Sequence, residues 1–453
     1  MVDSQSVKKT RLNTNITLNI VLNMPMQCVQ YNSKIILVLC LLLLIPAGLA
    51  AQSANHITGW KADPEVIKDS EEARPGFIWK ESEVPDYTLP DPLLREDGEI
   101  VEDIEQWLKQ REVLLDLLCS KMYGHGPGLP EELKFHLTRE RRTAMGGKAT
   151  LRQISIESRN QGKKHEFELI LFLPNEVKKP LPVFLLMNNR SEDNTDPTRE
   201  EKSEFWPAEE VIARGYGVAA IQNGSLAPDD KELFVEGIIG LFENGAANNR
   251  SEDAWGAISA WAWGAMRVMD YFESDEDVDA SRIALLGHSR GGKASLWAGA
   301  RDERFALVIS NQSGSGGAAL SRRRFGEDIT ALNRFTHWFN DHFKQYNDQE
   351  HLMPFDQHFL ISLIAPRAVY VGSADKDLWA DPRGEYLSLV HASPVYSLWN
   401  HSPISPNRMP RLDTQVIHGP RAYHVRSGRH NLTLTDWNYY MDFADTLWPT
   451  RNR

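Results

Sequence analysis

Cysteine is scarce in this chain of 453 residues, which contains three. Cys28 and Cys40 lie in or before a short apolar run near the N-terminus, so a chain cleaved after that run keeps Cys119 alone. A single cysteine excludes an internal disulfide. Cys119 stands among apolar residues with no neighbour that would lower its pKa, which favours a buried small hydrophobe over a nucleophile.

The chain also has fewer positive than negative residues and no cluster with the spacing of metal ligands. The chain has 50 Lys and Arg residues against 62 Asp and Glu residues, for a formal net charge of −12. A negative surface disfavours nucleic acid, whose binding depends on neutralising phosphates. No group of Cys and His residues has the spacing of metal ligands, so we expect neither a metal nor another cofactor.

Long apolar runs are absent apart from residues 35–45, which fall short of the roughly 20 residues that a membrane-spanning helix needs. Lys34 precedes this run and small residues follow it at 47–51, a pattern typical of a secretory signal peptide. We expect residues 1–51 to be an N-terminal extension with a signal peptide cleaved near Ala50. The mature chain would then be secreted or periplasmic, without a membrane span.

Residues 52–453 predict a single catalytic domain, in which the Pro-, Asp- and Glu-rich residues 52–100 form an extended segment that wraps around it. Beyond a helix predicted within 101–122, apolar strands alternate with amphipathic helices. The predicted strands are 166–174, 182–187, 215–221, 282–286, 306–310 and 368–372, and the predicted helices between them are 209–214, 253–272 and 292–300. Such alternation predicts an α/β three-layer sandwich with a mostly parallel central sheet.

The chemistry is indicated by Gly287-His288-Ser289-Arg290-Gly291, which fits the pattern G-x-S-x-G. An apolar strand runs directly into this motif and a helical stretch follows it, which is the setting of the nucleophile elbow in the α/β-hydrolase fold. The alternative is a glycine-rich turn with an incidental serine. The strand-elbow-helix context favours Ser289 as a nucleophile, with the N–H groups of the following helix behind it.

A serine nucleophile needs a histidine base and a carboxylate that orients it, and in this fold the chain order is serine, acid, histidine. His430 stands in a turn before the last amphipathic helix and is the preferred base, with His424 as the alternative. Asp375 and Asp377 both follow the predicted strand 368–372. The residues alone leave the acid open between these two.

Several longer motifs accompany the elbow. They are Gly-His-Ser-Arg-Gly-Gly-Lys at 287–293, Ser-Arg-Arg-Arg-Phe-Gly-Glu at 321–327, Pro-Phe-Asp-Gln-His at 354–358, Ala-Pro-Arg at 365–367, Asp-Leu-Trp-Ala-Asp-Pro at 377–382 and the segment around His430. Together they resemble the glucuronoyl esterases of carbohydrate esterase family 15, and the bacterial members in particular. The resemblance extends over about residues 95–447.

This resemblance implies a serine carboxylic-ester hydrolase that takes part in lignocellulose degradation by cleaving 4-O-methyl-glucuronoyl esters between glucuronoxylan and lignin alcohols. It implies Ser289 as nucleophile, His430 as base and Arg290 as a stabiliser of the oxyanion. Lys293, Glu327 and Trp379 match the family's residues that bind the sugar hydroxyls. We also expect a monomer that has glucuronoxylan or a lignin–carbohydrate ester as its partner.

One position departs from the family. Fungal-type members carry a catalytic Glu where this chain has Gln312, and a glutamine cannot carry the charge that stabilises an imidazolium. The resemblance to bacterial members then favours Asp377 as the acid, because Trp379 follows it at the matching spacing, with Asp375 as the alternative. Two other functions stay open: an acetyl-xylan or general carboxylesterase, and a non-catalytic xylan-binding homologue.

Overall fold

The computed structural model describes residues 58–243 and 249–449. The predicted signal peptide and its cleavage site near Ala50 lie outside these residues. The described strands are β1 (Glu132–Ala144), β2 (Ala149–Asn160), β3 (Lys163–Pro174), β4 (Leu181–Asn188), β5 (Gly217–Gln222), β6 (Val278–His288), β7 (Leu307–Asn311), β8 (Ala368–Ala374), β9 (Thr414–His418) and β10 (Arg421–Arg426).

Six of the described α-helices are ten to eighteen residues long. All of the described α-helices in chain order are α1 (Pro64–Ala73), α2 (Ile104–Leu118), α3 (Ala208–Ala213), α4 (Asn223–Leu226), α5 (Ile238–Phe242), α6 (Ala257–Ser274), α7 (Arg290–Arg301), α8 (Ile329–Leu332), α9 (His358–Ser362), α10 (Pro382–His391), α11 (Ser393–Ser397) and α12 (Leu434–Leu447). No helix within the described ranges is both long and apolar enough to cross a bilayer.

The strands form one sheet in the order β1-β2-β3-β5-β4-β6-β7-β8-β10-β9. The six strands from β5 to β10 in that order are parallel to one another, whereas antiparallel strands extend the sheet at both ends. Because parallel strands end at the same edge, the loops that follow β6, β7, β8 and β10 lie side by side. This edge carries the residues discussed below.

Side chains along the central strands alternate between two apolar cores. In β4, Val183, Leu185 and Met187 belong to the core that contains the tryptophans of α6 and α7, whereas Phe184 and Leu186 belong to the core with α3 and α12. A strand buried on both faces is therefore an uninterrupted apolar run. The predicted three-layer sandwich with a mostly parallel sheet is confirmed.

The N-terminal segment is more structured than its composition predicts. It contains α1, and Trp79 packs with Phe325 and Leu378 in a third apolar cluster. Arg323 connects the segment to the domain: its guanidinium contacts Glu81 at 2.7 Å and Asp381 at 2.7 Å. The segment is thereby attached beside the carboxyl edge of the sheet.

Two local features differ from the sequence expectations. The hairpin of β9 and β10 is not anticipated by the apolar pattern, since β9 is largely exposed at the sheet edge. The helix predicted from residue 253 begins at Ala257, so Trp255 precedes it. Gly256 forms the N-cap there, and a Cβ at this position would come within 2.3 Å of the Trp338 carbonyl oxygen.

Candidate active site

Ser289 occupies a sharp turn between β6 and α7, with φ 55° and ψ −125°. The turn depends on two glycines. A Cβ on Gly287 would lie 1.9 Å from the Gly291 carbonyl oxygen, and a Cβ on Gly291 would lie 3.0 Å from the carbonyl oxygen of Met187. The G-x-S-x-G pattern is therefore required by close backbone packing, which places the serine hydroxyl at the carboxyl edge of the sheet.

The residue after the serine presents hydrogen-bond donors to the same place. The Arg290 N–H is in the first turn of α7, where amide groups have no intrahelical acceptor. Its side chain is held on two sides: Nη2 donates to the Asn189 carbonyl at 2.8 Å, and Nε lies 2.6 Å from a carboxylate oxygen of Asp229. Backbone and side chain of Arg290 can both stabilise negative charge near Ser289.

His430 and Asp377 meet at the carboxyl ends of two neighbouring parallel strands. His430 follows β10 and Asp377 follows β8, and His430 Nδ1 lies 2.6 Å from Asp377 Oδ2. Asp377 is buried, whereas the imidazole is 41% exposed and faces the cavity that contains Ser289. A buried carboxylate on Nδ1 leaves Nε2 of the ring free to accept a proton.

The two alternatives that the sequence left open lie elsewhere in the hydrogen-bond network. Asp375 Oδ1 accepts a hydrogen bond from the Gly428 N–H at 2.7 Å, so it holds the loop on which His430 stands. His424 is fully buried, with its Nε2 2.9 Å from Asp436 and its Nδ1 3.0 Å from the Tyr370 hydroxyl. Neither residue lines the cavity of Ser289.

Gln312 makes a reciprocal pair of hydrogen bonds with the residue after His430. Its Oε1 accepts from the Asn431 N–H at 3.0 Å and its Nε2 donates to the Asn431 carbonyl at 2.8 Å. Gln312 has a positive φ of 48°, which turns the loop after β7 toward this segment. In the sequence, Gln312 stands where fungal-type members have a catalytic acid. In the structure, it acts as a brace, which means that its two hydrogen bonds hold the loop that carries His430.

His288 packs against His430, with 4.4 Å between the ring centroids. Its Nδ1 lies 2.6 Å from the Asn311 side-chain oxygen and its Nε2 lies 3.4 Å from a guanidinium nitrogen of Arg190. Burial, followed by the nearby charge of His430, lowers the pKa of His288 well below its usual value. His288 is therefore neutral when its neighbour becomes charged.

Ser289, His430 and Asp377 share one cavity of about 690 Å³ with the other residues that the sequence selects, namely Arg290, Lys293, Glu327 and Trp379. The N-terminal segment contributes to the same cavity through Arg74 and Trp79, which no sequence motif indicated. Their positions follow from the packing of α1 onto the domain, which is a contact between distant parts of the chain.

Lys293 lies one helical turn beyond Ser289 and is almost fully buried. Its ammonium donates to the carbonyl oxygens of Ser313, at 2.7 Å, and Ser315, and it lies 3.4 Å from Glu327 Oε2. Burial lowers its pKa, whereas Glu327 acts in the opposite direction. All three ammonium protons thus have protein partners, so a ligand hydroxyl would have to replace one of them.

Trp379 also lines the cavity and is packed on several sides. The ring of Phe77 meets it edge-on at 4.9 Å, and the Arg74 guanidinium lies over the indole at 4.1 Å. No described residue accepts a hydrogen bond from its indole N–H, which is available to a ligand in the cavity. Trp379 therefore offers a rigid donor rather than a mobile aromatic surface.

Glu385 lies fully buried beneath the loop that borders the cavity. Its Oε1 accepts from the N–H groups of Ser313 and Gly314 at 2.8 and 3.0 Å, and its Oε2 accepts from the Ser373 hydroxyl at 2.6 Å. Burial raises the pKa of Glu385 to about 8. Within the described residues, no set of three His, Cys, Asp or Glu side chains is arranged to hold a metal ion.

Comparison with known families gives one match to a family model described as glucuronyl esterase, fungi, over residues 246–399. A carbohydrate esterase from an unknown prokaryotic organism is 40% identical over 418 residues, which are 86% of this chain and 95% of that protein. A 4-O-methyl-glucuronoyl methylesterase of Schizophyllum commune is 28% identical over 68% of this chain and 72% of its own length.

Solved structures agree with these relatives. A glucuronoyl esterase from Solibacter usitatus superimposes with a TM-score of 0.75 at 40% sequence identity, covering 81% of this chain and all of that one. A match that includes nearly the whole of the other protein concerns the arrangement of the entire fold rather than a shared motif. The expected α/β-hydrolase fold is thereby confirmed.

Proposed function

Because this chain belongs to the glucuronoyl esterases of carbohydrate esterase family 15, we propose that it hydrolyses 4-O-methyl-glucuronoyl esters that connect glucuronoxylan to lignin alcohols. The observation that carries the proposal is the 2.6 Å contact between His430 and Asp377 in the cavity where the elbow presents Ser289. A nucleophile, a base and an acid that orients the base are the parts required for acyl transfer by serine.

In the proposed reaction, Ser289 Oγ attacks the ester carbonyl carbon while His430 Nε2 takes the hydroxyl proton. The charge that develops on the carbonyl oxygen is stabilised by the Arg290 N–H and guanidinium. The tetrahedral intermediate breaks its bond to the alcohol oxygen, which receives the proton from His430. Water then attacks the acyl-enzyme with the same base, and glucuronic acid leaves while Ser289 recovers its proton.

Asp377 orients the imidazole and stabilises the imidazolium that forms, and Asp375 supports the loop that carries the histidine. Placing a buried carboxylate on Nδ1 fixes the tautomer that leaves Nε2 as the base. The neutral His288 beside the ring adds no opposing charge. These features support Asp377, rather than Gln312 or Asp375, as the acid of the triad.

Three cavity residues support a uronate ester, rather than a simple acetate ester, as the substrate. Glu327 accepts hydrogen bonds from vicinal hydroxyls, and Trp379 presents an unused indole N–H. Lys293 holds Glu327 at 3.4 Å, and we propose that a sugar hydroxyl shares that ion pair when substrate binds. An acetyl ester has no hydroxyls that would use these groups.

The proposal extends to the state of the mature chain. We propose that residues 1–51 are removed near Ala50 during secretion to the periplasm or the medium, and that residues 52–453 act as one catalytic domain. A monomer suffices, because every residue assigned to the site comes from a single chain. The acidic composition disfavours nucleic acid as a partner.

The test is hydrolysis of benzyl glucuronate and of acetylated xylan by the wild-type chain and by Ser289→Ala. We expect release of benzyl alcohol that the substitution abolishes. Serine-dependent release of acetate alone would replace the proposal with an acetyl-xylan or general carboxylesterase. Xylan binding without serine-dependent hydrolysis of either substrate would identify a non-catalytic homologue.

A further inference from the structure

Asp229 is a carboxylate whose two oxygens serve three donors from distant parts of the chain. Its Oδ2 lies 2.6 Å from Arg290 Nε. Its Oδ1 lies 2.8 Å from His337 Nε2 and accepts from the Trp338 indole N–H at 2.7 Å. The residue belongs to the polar connection after β5, in which no sequence motif indicated a function.

The contact with Arg290 determines where that guanidinium can be. An arginine side chain has several rotatable bonds and is flexible unless it is bound at more than one point. Here Asp229 holds Nε while the Asn189 carbonyl holds Nη2, so the plane of the guanidinium is set from both sides. The remaining N–H groups are left for a charge that forms near Ser289. Stabilisation of such a charge is effective when the donors are oriented before the reaction.

The other carboxylate oxygen of Asp229, Oδ1, contacts the wall of the cavity through Trp338. Trp338 lines the cavity, and the Lys293 ammonium lies 5.9 Å from its ring centroid. A carboxylate oxygen can only accept, so His337 Nε2 carries the hydrogen that reaches Asp229, while the buried Nδ1 has no partner among the described residues. The imidazole of His337 and the indole of Trp338 thus hold the carboxylate in the position that contacts Arg290.

We propose that Asp229 is a positioning residue for the esterase reaction, which orients Arg290 toward the oxyanion and joins it to Trp338 in the wall of the sugar site. The inference rests on the proposed ester hydrolysis at Ser289. Asp229 does not touch the reacting atoms, so it acts through Arg290. Its removal lowers the rate of the chemical step more than it weakens substrate binding.

The first variant is Asp229→Asn, in which the charge is lost and an NH2 group replaces one oxygen. That nitrogen cannot accept, so either Arg290 or the His337–Trp338 pair loses its acceptor. Removing an oxyanion donor outright lowers kcat about 10²- to 10³-fold, so misorienting one should lower kcat about 10- to 100-fold. We expect KM for benzyl glucuronate to stay within about twofold, because the groups proposed to bind the sugar are intact.

A matched control is Asp230→Asn. This substitution removes the same charge from the same loop. Asp230 Oδ1 accepts hydrogen bonds from the backbone N–H groups of Glu232 and Leu233, which an asparagine oxygen can also accept. We expect wild-type kcat from this variant. Asp229→Glu keeps the carboxylate and is expected to retain more of kcat than Asp229→Asn, provided that both unfold at temperatures near that of the wild type.

The decisive measurement is a double-mutant cycle with Arg290→Ala. If Asp229 acts through Arg290, Asp229→Asn has no further effect on kcat in the Arg290→Ala background. Independent, multiplying losses would overturn the proposal, as would an unchanged kcat for folded Asp229→Asn. The cycle is also run with 4-nitrophenyl acetate. Serine-dependent turnover of that ester without activity on benzyl glucuronate would refute the proposed substrate and still test Asp229.

Discussion

The side-chain amide of Gln312 and the main chain of Asn431 hold each other by two hydrogen bonds, one in each direction. This pairing joins the loop after β7 to the loop that carries His430. Fungal-type esterases carry a catalytic glutamate at the position of Gln312. This chain has an uncharged amide there instead, which holds the histidine loop. An amide is required for this role because it donates and accepts at once.

Gln312→Glu is therefore expected to impair the enzyme even though it introduces an acid. The carboxylate can accept from the Asn431 N–H, but it would face the Asn431 carbonyl without a proton to donate. Loss of one hydrogen bond with an opposed oxygen costs about 1–3 kcal/mol, which corresponds to a loss of about 5- to 150-fold in kcat if the cost falls on the position of His430. Benzyl glucuronate turnover provides the measurement.

Gln312→Leu is the uncharged control and should lose a similar share of activity. The informative combination is Gln312→Glu with Asp377→Asn. If the double variant hydrolyses benzyl glucuronate faster than Asp377→Asn alone, a carboxylate at position 312 can act as the acid for His430. That result would contradict the assignment of position 312 to a purely structural role.

The choice between the two aspartates gives a second prediction. Asp377→Asn removes the negative charge beside His430 Nδ1 and lets the amide favour the wrong tautomer of the imidazole, so kcat should fall about 10³- to 10⁴-fold. Asp375→Asn keeps an oxygen that can accept from Gly428, so we expect a much smaller loss. Each substitution exchanges one carboxylate oxygen for an NH2 group, and the two positions are two residues apart. Initial rates with benzyl glucuronate compare the two variants directly. A larger loss from Asp375→Asn would exchange their roles.

A third prediction concerns the sugar site. Trp379→Phe retains an aromatic ring beneath Arg74 and removes the indole N–H. One hydrogen bond contributes about 1 kcal/mol, so KM for benzyl glucuronate should rise about fivefold, with kcat nearly unchanged.

Turnover of 4-nitrophenyl acetate is the control for Trp379→Phe, because acetate has no hydroxyl for the indole and its kinetics should match the wild type. Equal losses on both esters would mean that Trp379 supports the cavity rather than binding the sugar.

The fourth prediction follows from the buried Glu385, whose pKa is raised to about 8 by burial. The unfolded chain releases this proton near pH 4.3, so the folded state binds more protons between about pH 4.3 and pH 8. The group's contribution to stability is therefore fully present below the unfolded pKa and is lost as the pH rises to about 8. Glu385→Gln does not titrate and should raise the melting temperature relative to the wild type more at pH 9 than at pH 5.

Circular dichroism melts at the two pH values test this expectation. Glu96→Gln, at an exposed position, is the control and should leave the pH dependence of the melting temperature as it is in the wild type. A Glu385→Gln chain whose melting temperature follows that of the wild type at both pH values would place the titration of Glu385 in its ordinary range.

Local patterns in the sequence were sufficient for the sandwich and for the elbow. Apolar runs predicted the central strands, because a strand buried on both faces needs apolar side chains at every position. The elbow was predictable because both of its glycines are in close contact with backbone, Gly287 with Gly291 and Gly291 with Met187. The exposed strand β9 and the helix α1 in the N-terminal segment lacked such a signal, since little of either is buried.

The site was predictable only as far as chain order and resemblance extend. Chain order and the position in the turn before the last helix favoured His430 over His424 and left two aspartates, which lie two residues apart and differ in sequence context very little. Asp229 gave no signal, because its partners His337 and Trp338 are 108 and 109 residues away in the chain. Arg74 and Trp79 likewise reach the cavity through a segment attached by Glu81, 242 residues from Arg323.

The amino-acid sequence by itself determined the central strands with the helices between them, the nucleophile turn and the membership of its family, because each depends on residues that are neighbours along the chain. Which aspartate contacts His430, what Gln312 binds and how Arg290 is held were decided only by the tertiary structure. Hydrogen bonds of this kind act over about 3 Å, and the packing of parallel strands brings together the loop ends that form them.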